Sequence, residues 1–284
     1  MTEIPLRSLY GLAFHPFRAD VPEHALWKHA RVNHFIDRLE KMIGTGGFAL
    51  LSGQTGLGKS KVIHCIASTF QRKDGIKVGI MERPQSTMMD FYRELGDVFG
   101  LSLAPANRYG SFRSLRQKWA THCEQTLSHP LLLVDEAQEM PTECLTELRL
   151  LSSEQFDSKN LLTVVLCGDT RLPDRFRELA LMPLGSRIRV RLLLTLYSRD
   201  ELLEFLNHQL TVAGAPSLMT DPLKETLVEH AGGNLRVLTN MSTDLLEEAI
   251  TRDLKQLDEK LYIELFSGQS VRKTFQGSAT GKGR

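Results

Sequence analysis

Little in this 284-residue sequence points to a special environment. It has only four cysteines, Cys65, Cys123, Cys144 and Cys167. None forms a CxxC pair, and no His/Cys cluster has the spacing of a zinc site. That excludes a disulfide-stapled mini-protein and fits buried free thiols in a reducing compartment. Long hydrophobic runs are missing. The longest, Leu161 to Gly168 with Thr163 inside it, is far short of the roughly 18–20 residues a membrane helix needs. Met1-Thr-Glu-Ile-Pro-Leu-Arg-Ser8 lacks the basic and apolar regions of a signal peptide. A cytoplasmic location without membrane contact is expected. Net charge is also nearly absent: 35 Lys and Arg against 34 Asp and Glu leave +1. The total therefore argues for neither nucleic acid nor membrane. Its distribution is more informative: residues 1–195 carry +4, residues 196–265 carry −7, and the remaining tail carries +4.

What is present is the composition of a soluble globular protein, 42% apolar and 24% charged, not a disordered or collagenous chain. At about 150 residues per domain, the length suggests two domains. Residues 1–32 mix aromatics and prolines. Phe35, Ile36, Leu39, Met42 and Ile43 recur at helical spacing, and Gly44, Gly46 and Gly47 end that helix. Phe48 to Ser52, Val78 to Met81, Leu131 to Val134, Leu161 to Cys167 and Val190 to Leu196 read as strands. Helices are expected at Lys59 to Phe70, Thr87 to Phe99, Ser111 to Leu127, from Pro141, and at 171–180. Continuous apolar strands separated by helices predict a parallel sheet covered on both faces. Beyond Ser198 no strand is evident. Ser198-Arg-Asp-Glu201 is a capping box, and helices follow near 221–231, 235–250 and 258–266. The expected organisation is an N-terminal segment 1–32, an α/β core 33–196, a helical domain 197–266 and a flexible basic tail 267–284.

Gly53-Gln54-Thr55-Gly56-Leu57-Gly58-Lys59-Ser60 matches G-x-x-x-x-G-K-[ST] in full, between a predicted strand and a predicted helix. Such a loop points backbone N–H groups and a helix N-terminus at phosphates. Lys59 would neutralise the β- and γ-phosphates of ATP, and Ser60 would ligate Mg²⁺. The apolar run Leu131 to Val134 ends in Asp135-Glu136, which fits a Walker B element. Asp135 would orient the Mg²⁺ ligands, and Glu136 would activate the attacking water as general base.

With these parts in this order, the chain resembles an AAA+ ATPase: a P-loop α/β core with a parallel sheet flanked by helices, followed by a small all-helical lid. The resemblance implies a polar sensor at the tip of the next strand, here Asp169, with Thr170 as second choice. It implies an arginine finger before the last strand, to be chosen among Arg187, Arg189 and Arg191, with Arg187 best placed. It also implies a sensor arginine opening a lid helix, Arg236 in Gly232-Gly-Asn-Leu-Arg236, behind an Asn234 N-cap. Leu9-Tyr-Gly-Leu-Ala-Phe14-His-Pro-Phe17, Asp135-Glu-Ala-Gln138 and Glu147-Leu-Arg149-Leu-Leu look like marks of the ExeA-type group. There the N-terminal segment lies by the adenine. That points to Phe14, Pro16 and Phe17, which could equally be aromatics sealing a core edge.

ExeA-type domains serve secretion-apparatus assembly or DNA transposition. With no membrane span or cell-wall-binding segment read here, the expectation falls on the second setting. It is similar to regulators of the TnsC, TniB and MuB kind. The resemblance then implies ATP-dependent helical oligomers on duplex DNA, recruitment of a DDE transposase, and target-site selection. Asn107 to Trp119 holds four basic residues, three aromatics and no acid. By this resemblance Arg108, Ser111, Arg113 and Arg116 would contact DNA phosphates, although a solvated helix face gives the same pattern. Lys73 and Lys77 are weaker candidates. The tail, with Arg272, Lys273, Lys282 and Arg284, would bind DNA or a target-selection subunit. A helicase loader acting on single strands is a further alternative.

Overall fold

A computed structural model describes residues 8–82, 87–104, 106–154 and 159–266. The expected tail at 267–284 lies outside the described residues. Two compact units are present. Lys28–Thr195 is one; of the described residues, 8–27 and 196–266 together make the other.

The Lys28–Thr195 unit is built on five parallel strands, β1 (Gly47–Gly53), β2 (Val78–Met81), β3 (Leu131–Val134), β6 (Thr163–Gly168) and β7 (Ile188–Leu194). Two short strands, β4 (Ser153–Glu154) and β5 (Lys159–Asn160), form a separate antiparallel pair. The sheet order is β2-β3-β6-β1-β7. β1, β3 and β6 are buried along their whole length, which is why they read as unbroken apolar runs. β7 lies at an edge and alternates buried and exposed, so Arg189, Arg191 and Leu193 fall on its open face. Helices Lys59–Gln71, Met88–Phe99, Arg108–Thr126 and Thr142–Ser152 flank the sheet. Phe91, Tyr92, Leu95, Leu115, Trp119, Leu145 and Leu148 pack with the strands in one core.

Three sequence expectations need adjustment. The strand expected from Leu161 is β6, which starts at Thr163; Leu161 N–H is bonded to Ser152 O at 2.8 Å in the approach. The edge strand runs Ile188–Leu194, two residues earlier than expected. Of the helix expected at 171–180 only Arg171–Arg175 forms, and a separate short helix, Met182–Gly185, follows it. Leu172 and Phe176 are buried, but Leu179 is 85% exposed, so no apolar stripe continues to hold a longer helix.

The second unit contains helices Arg199–Ala213, Asp221–Ala231 and Leu235–Thr251, with another at 259–266. The capping box forms: Glu201 N–H donates to Ser198 Oγ at 3.2 Å, and Ser198 N–H to Glu201 Oε2 at 2.7 Å. The N-terminal segment joins this unit. Ala13 N–H donates to Ala213 O at 2.9 Å, Tyr10 Oη to Leu254 O at 2.7 Å, and Trp27 packs on Tyr197 and Phe205. Among the described residues, no helix is long and apolar enough to cross a membrane.

Candidate nucleotide site

Parallel pairing places three chain segments side by side. β1 pairs with β6 so that Ser52 faces Gly168, and β6 pairs with β3 so that Leu166 faces Val134. The carboxyl ends of β1, β6 and β3 therefore open at one rim, with β1 and β3 about 10 Å apart across two strand spacings. From that rim emerge the Gly53–Ser60 loop, Asp169 and the Asp135-Glu136 pair. Ligands of open α/β sheets bind at such a rim.

The loop after β1 turns on Gly56 and Gly58, both at φ +88°. A side chain would be strained there, so the two glycines permit the backbone to curl toward the start of helix Lys59–Gln71. Leu57 is fully buried and anchors the loop. Lys59 is 8% exposed, and its ammonium donates to Gly53 O at 3.0 Å and Gln54 O at 3.1 Å. It is thereby aimed along the inside of the loop. Ser60 follows on the first helical turn and is exposed, as are Gln54 and Thr55.

Asp135 continues from β3, its N–H bonded to Met81 O at 2.9 Å. Its carboxylate accepts Glu136 N–H at 2.9 Å. Burial, with the charge and hydrogen bond of Asp135, pushes the Cys167 thiol far above its ordinary value, while Lys59 pulls it down. Cys167 is thus held as a neutral thiol. Asp135 and Ser60 are hard oxygen donors, the chemistry that suits Mg²⁺ when a nucleotide phosphate completes the shell. The residues present fit that ion. When bound, Mg²⁺ would neutralise phosphate charge; orientation of the water would fall to Glu136.

Glu136 stands at φ +50° and receives the Gln138 amide on its carboxylate. The Gln138 oxygen in turn accepts Asp169 N–H at 3.1 Å. Burial works against the Asp169 carboxylate, yet the Arg171 side chain and backbone, with Lys59, hold its pKa below the usual value. Arg171 also bridges to Glu139 at 2.6 Å. Gln138 and Arg171 were not singled out as site residues from sequence. The Asp135-Glu-Ala-Gln138 run contained the signal for the first, read only as a family mark.

The remaining candidates are spread more widely. Arg187 lies between helix Met182–Gly185 and β7 and donates to Pro183 O. Arg189 donates to Thr45 Oγ1 at 3.1 Å and Arg191 to Gly185 O at 3.1 Å. Arg236 is exposed in the first turn of its helix, which Asn234 caps by accepting Arg236 N–H at 3.0 Å and Val237 N–H at 3.3 Å. Phe17 is buried and Phe14 packs edge-on against His24, both within the unit that holds the helical region. Of the DNA candidates, Ser111 is 2% exposed and donates to Ala104 O at 3.1 Å, which removes its hydroxyl from the surface. Arg108 forms a bidentate pair with buried Glu147 at 2.9 and 2.5 Å. Arg116 stacks on Phe112 and lies 3.6 Å from Glu154. Arg113 and Lys118 are exposed, with no ion-pair partner among the described residues.

Comparisons with known proteins agree with this geometry. Residues 41–176 match the family described as AAA domain. General secretion pathway protein A of Aeromonas hydrophila is 28% identical over 248 residues, covering 86% of this chain and 44% of that protein. The chain thus spans less than half the length of that relative. Cdc6p of Pyrobaculum aerophilum superposes with TM-score 0.67 at 13% identity, over 85% of this chain and 67% of the other. Drosophila ORC bound to DNA gives 0.67 at 17%, over 88% and 64%. Domain III of the replication initiation protein DnaA from Thermotoga maritima gives 0.60 at 18%, over 89% and 98%. The five-stranded parallel sheet with its P-loop has the AAA+ fold, and residues 41–176 carry the match to an AAA domain.

Proposed function

We propose that this protein is an ATP-dependent, DNA-binding AAA+ regulator of transposition. ATP is held by the Gly53–Ser60 loop, with Mg²⁺ on Ser60 and Asp135. Glu136 activates water, Asp169 and Arg236 sense the nucleotide, and Arg187 of a neighbouring subunit reaches the γ-phosphate. Phe14 and Phe17 flank the adenine. Nucleotide completes the subunit interface, oligomers wind on duplex DNA, and hydrolysis takes them apart. In this cytoplasmic role the oligomer recruits a DDE transposase, and the tail docks a target-selection subunit.

The observation that carries the DNA-binding part is helix Arg108–Thr126. It holds four basic residues and a single acid, Glu124. Its surface presents Arg113, Lys118 and a 75%-exposed Tyr109. Arg108, Arg116 and Ser111 serve the fold, so the phosphate contacts fall to Arg113 and Lys118. Fold neighbours include ORC bound to DNA, which supports the reading by analogy only.

The test is duplex-DNA binding with a slowly hydrolysed ATP analogue at several salt concentrations. Arg113→Ala with Lys118→Ala should weaken binding across all sequences and reduce the log–log salt slope by about 1 for each phosphate that is no longer neutralised. An unchanged slope would remove this helix from the DNA surface. The similarity to General secretion pathway protein A favours a second reading, a secretion-assembly ATPase. In that case DNA leaves ATP turnover unchanged, and an envelope protein is the partner. A helicase loader would instead be stimulated by single strands.

A further inference from the structure

Gln138 occupies a position that none of the nucleotide motifs assigns. It is 8% exposed and sits two residues past Glu136 in the single-turn helix Ala137–Glu139. Its oxygen accepts Asp169 N–H at 3.1 Å. A backbone N–H can only donate, so this bond fixes which end of the amide is the oxygen. The amide nitrogen is left to donate to Glu136 Oε2, and it also lies 3.5 Å from Glu139 Oε1. One side chain therefore spans from the tip of β6 to the carboxylate that follows β3.

Two further features hold this bridge. Arg175 donates to the Gln138 and Met140 carbonyls at 2.8 and 2.7 Å, pinning the backbone beneath it. Gly168 leaves room for the amide: a Cβ there would stand 2.4 Å from Gln138 Oε1 and 2.8 Å from Leu172 Cδ2. Glu136, at φ +50°, has a backbone conformation that L residues rarely adopt.

We propose that Gln138 is a positioning residue for ATP hydrolysis, whose amide orients the Glu136 carboxylate and couples it to the end of β6. The proposal rests on Glu136 being the group that activates water. Gln138 itself touches neither nucleotide nor water in this account; it acts through Glu136.

Three variants test it. Gln138→Leu removes both bonds at similar volume. Gln138→Glu keeps the acceptor for Asp169 N–H but presents an oxygen where the donor stood. Gly168→Ala displaces the amide without altering its chemistry. For each, the dissociation constant of a fluorescent ATP analogue should stay within about twofold of wild type, while kcat falls about 10- to 100-fold. In a Glu136→Gln background, Gln138→Leu should cost less than about twofold more, because residues acting through one group are not additive. The same fold-loss in both backgrounds would overturn the proposal. So would an affinity loss that accounts for the rate, or an undiminished kcat in Gln138→Glu. If Gln138→Leu does not fold, the other two variants decide by the same criteria. Full activity in Glu136→Gln alone would instead sink the reading of Glu136, and the proposal with it.

Discussion

Lys59 shows how a charge is kept usable inside a fold. Burial of an ammonium is costly unless it is hydrogen-bonded, and the Gly53 and Gln54 carbonyls supply those bonds. Lys59→Ala removes the charge and leaves the loop carbonyls without their donor. Wild-type melting temperature should rise on adding ATP, by linkage; for Lys59→Ala the ATP-induced rise should vanish, as followed by a thermal-shift assay. Elsewhere, Glu147 is 2% exposed between Tyr92 Oη at 2.5 Å and Arg108, whose own side chain is 61% exposed. Burial raises its pKa, but the bonds from Arg108 and Tyr92 outweigh that and hold it below the usual value. The two partners are therefore unequal. Arg108→Ala strands a buried carboxylate and should cost about 3 kcal/mol in urea unfolding, whereas Glu147→Gln leaves Arg108 in water and should cost less. The sequence run Asn107 to Trp119 showed the charge of Arg108 but not this pairing, because Glu147 is distant in the chain and its burial depends on tertiary packing.

His15 adds a pH dependence. It is 7% exposed, and its Nδ1 accepts Phe17 N–H at 3.2 Å, a bond that the protonated ring cannot make. Burial first, then the Arg18 charge, lower its pKa from 6.5 to about 4, against weaker upward pulls from Glu247 and Asp20. The folded state resists the proton that the unfolded chain accepts. Stability from this residue is complete above pH 6.5 and is lost as pH falls from there toward 4. His15→Asn, which offers an acceptor without titrating, should flatten that part of a stability–pH curve measured by denaturant unfolding. A slope unchanged by the substitution would assign it to other groups.

At the scale of elements, the buried strands were legible because burial on both faces demands unbroken apolar runs, as in Leu131 to Val134. The edge strand was legible more loosely, since alternation in Ile188–Leu194 resembles several other patterns. The helix expected near 221–231 forms at Asp221–Ala231, where the structure shows Thr220 as cap and Gly232 in the left-handed region. The interruption between Arg175 and Met182 was not legible, because only tertiary contacts decide that Leu179 stays outside. The β4–β5 pair, two residues a side, gives no pattern at all. The grouping of the N-terminal segment with the helical unit depends on long-range bonds such as Arg18–Glu247 at 2.9 Å. The capping box gives an element-scale test. Ser198→Ala should destabilise the helical unit by about 1 kcal/mol, seen as a lower melting temperature.

For the whole molecule, near-neutral net charge conceals an acidic helical region and a more basic core and tail. A protein that contacts DNA through backbone phosphates needs local positive charge, not a basic total. In the proposed cycle ATP acts as an assembly cofactor, and its hydrolysis through Glu136 acts as a timer. Glu136→Gln should bind ATP yet stay on DNA, giving complexes whose lifetime exceeds that of wild type by about tenfold or more in a challenge with competitor duplex. The most direct measurement is electron microscopy of the protein with duplex DNA and a slowly hydrolysed ATP analogue. Ordered oligomers surrounding the duplex are expected, absent when nucleotide is omitted. Nucleotide-bound protein that remains unassembled on duplex DNA would contradict the proposed cycle.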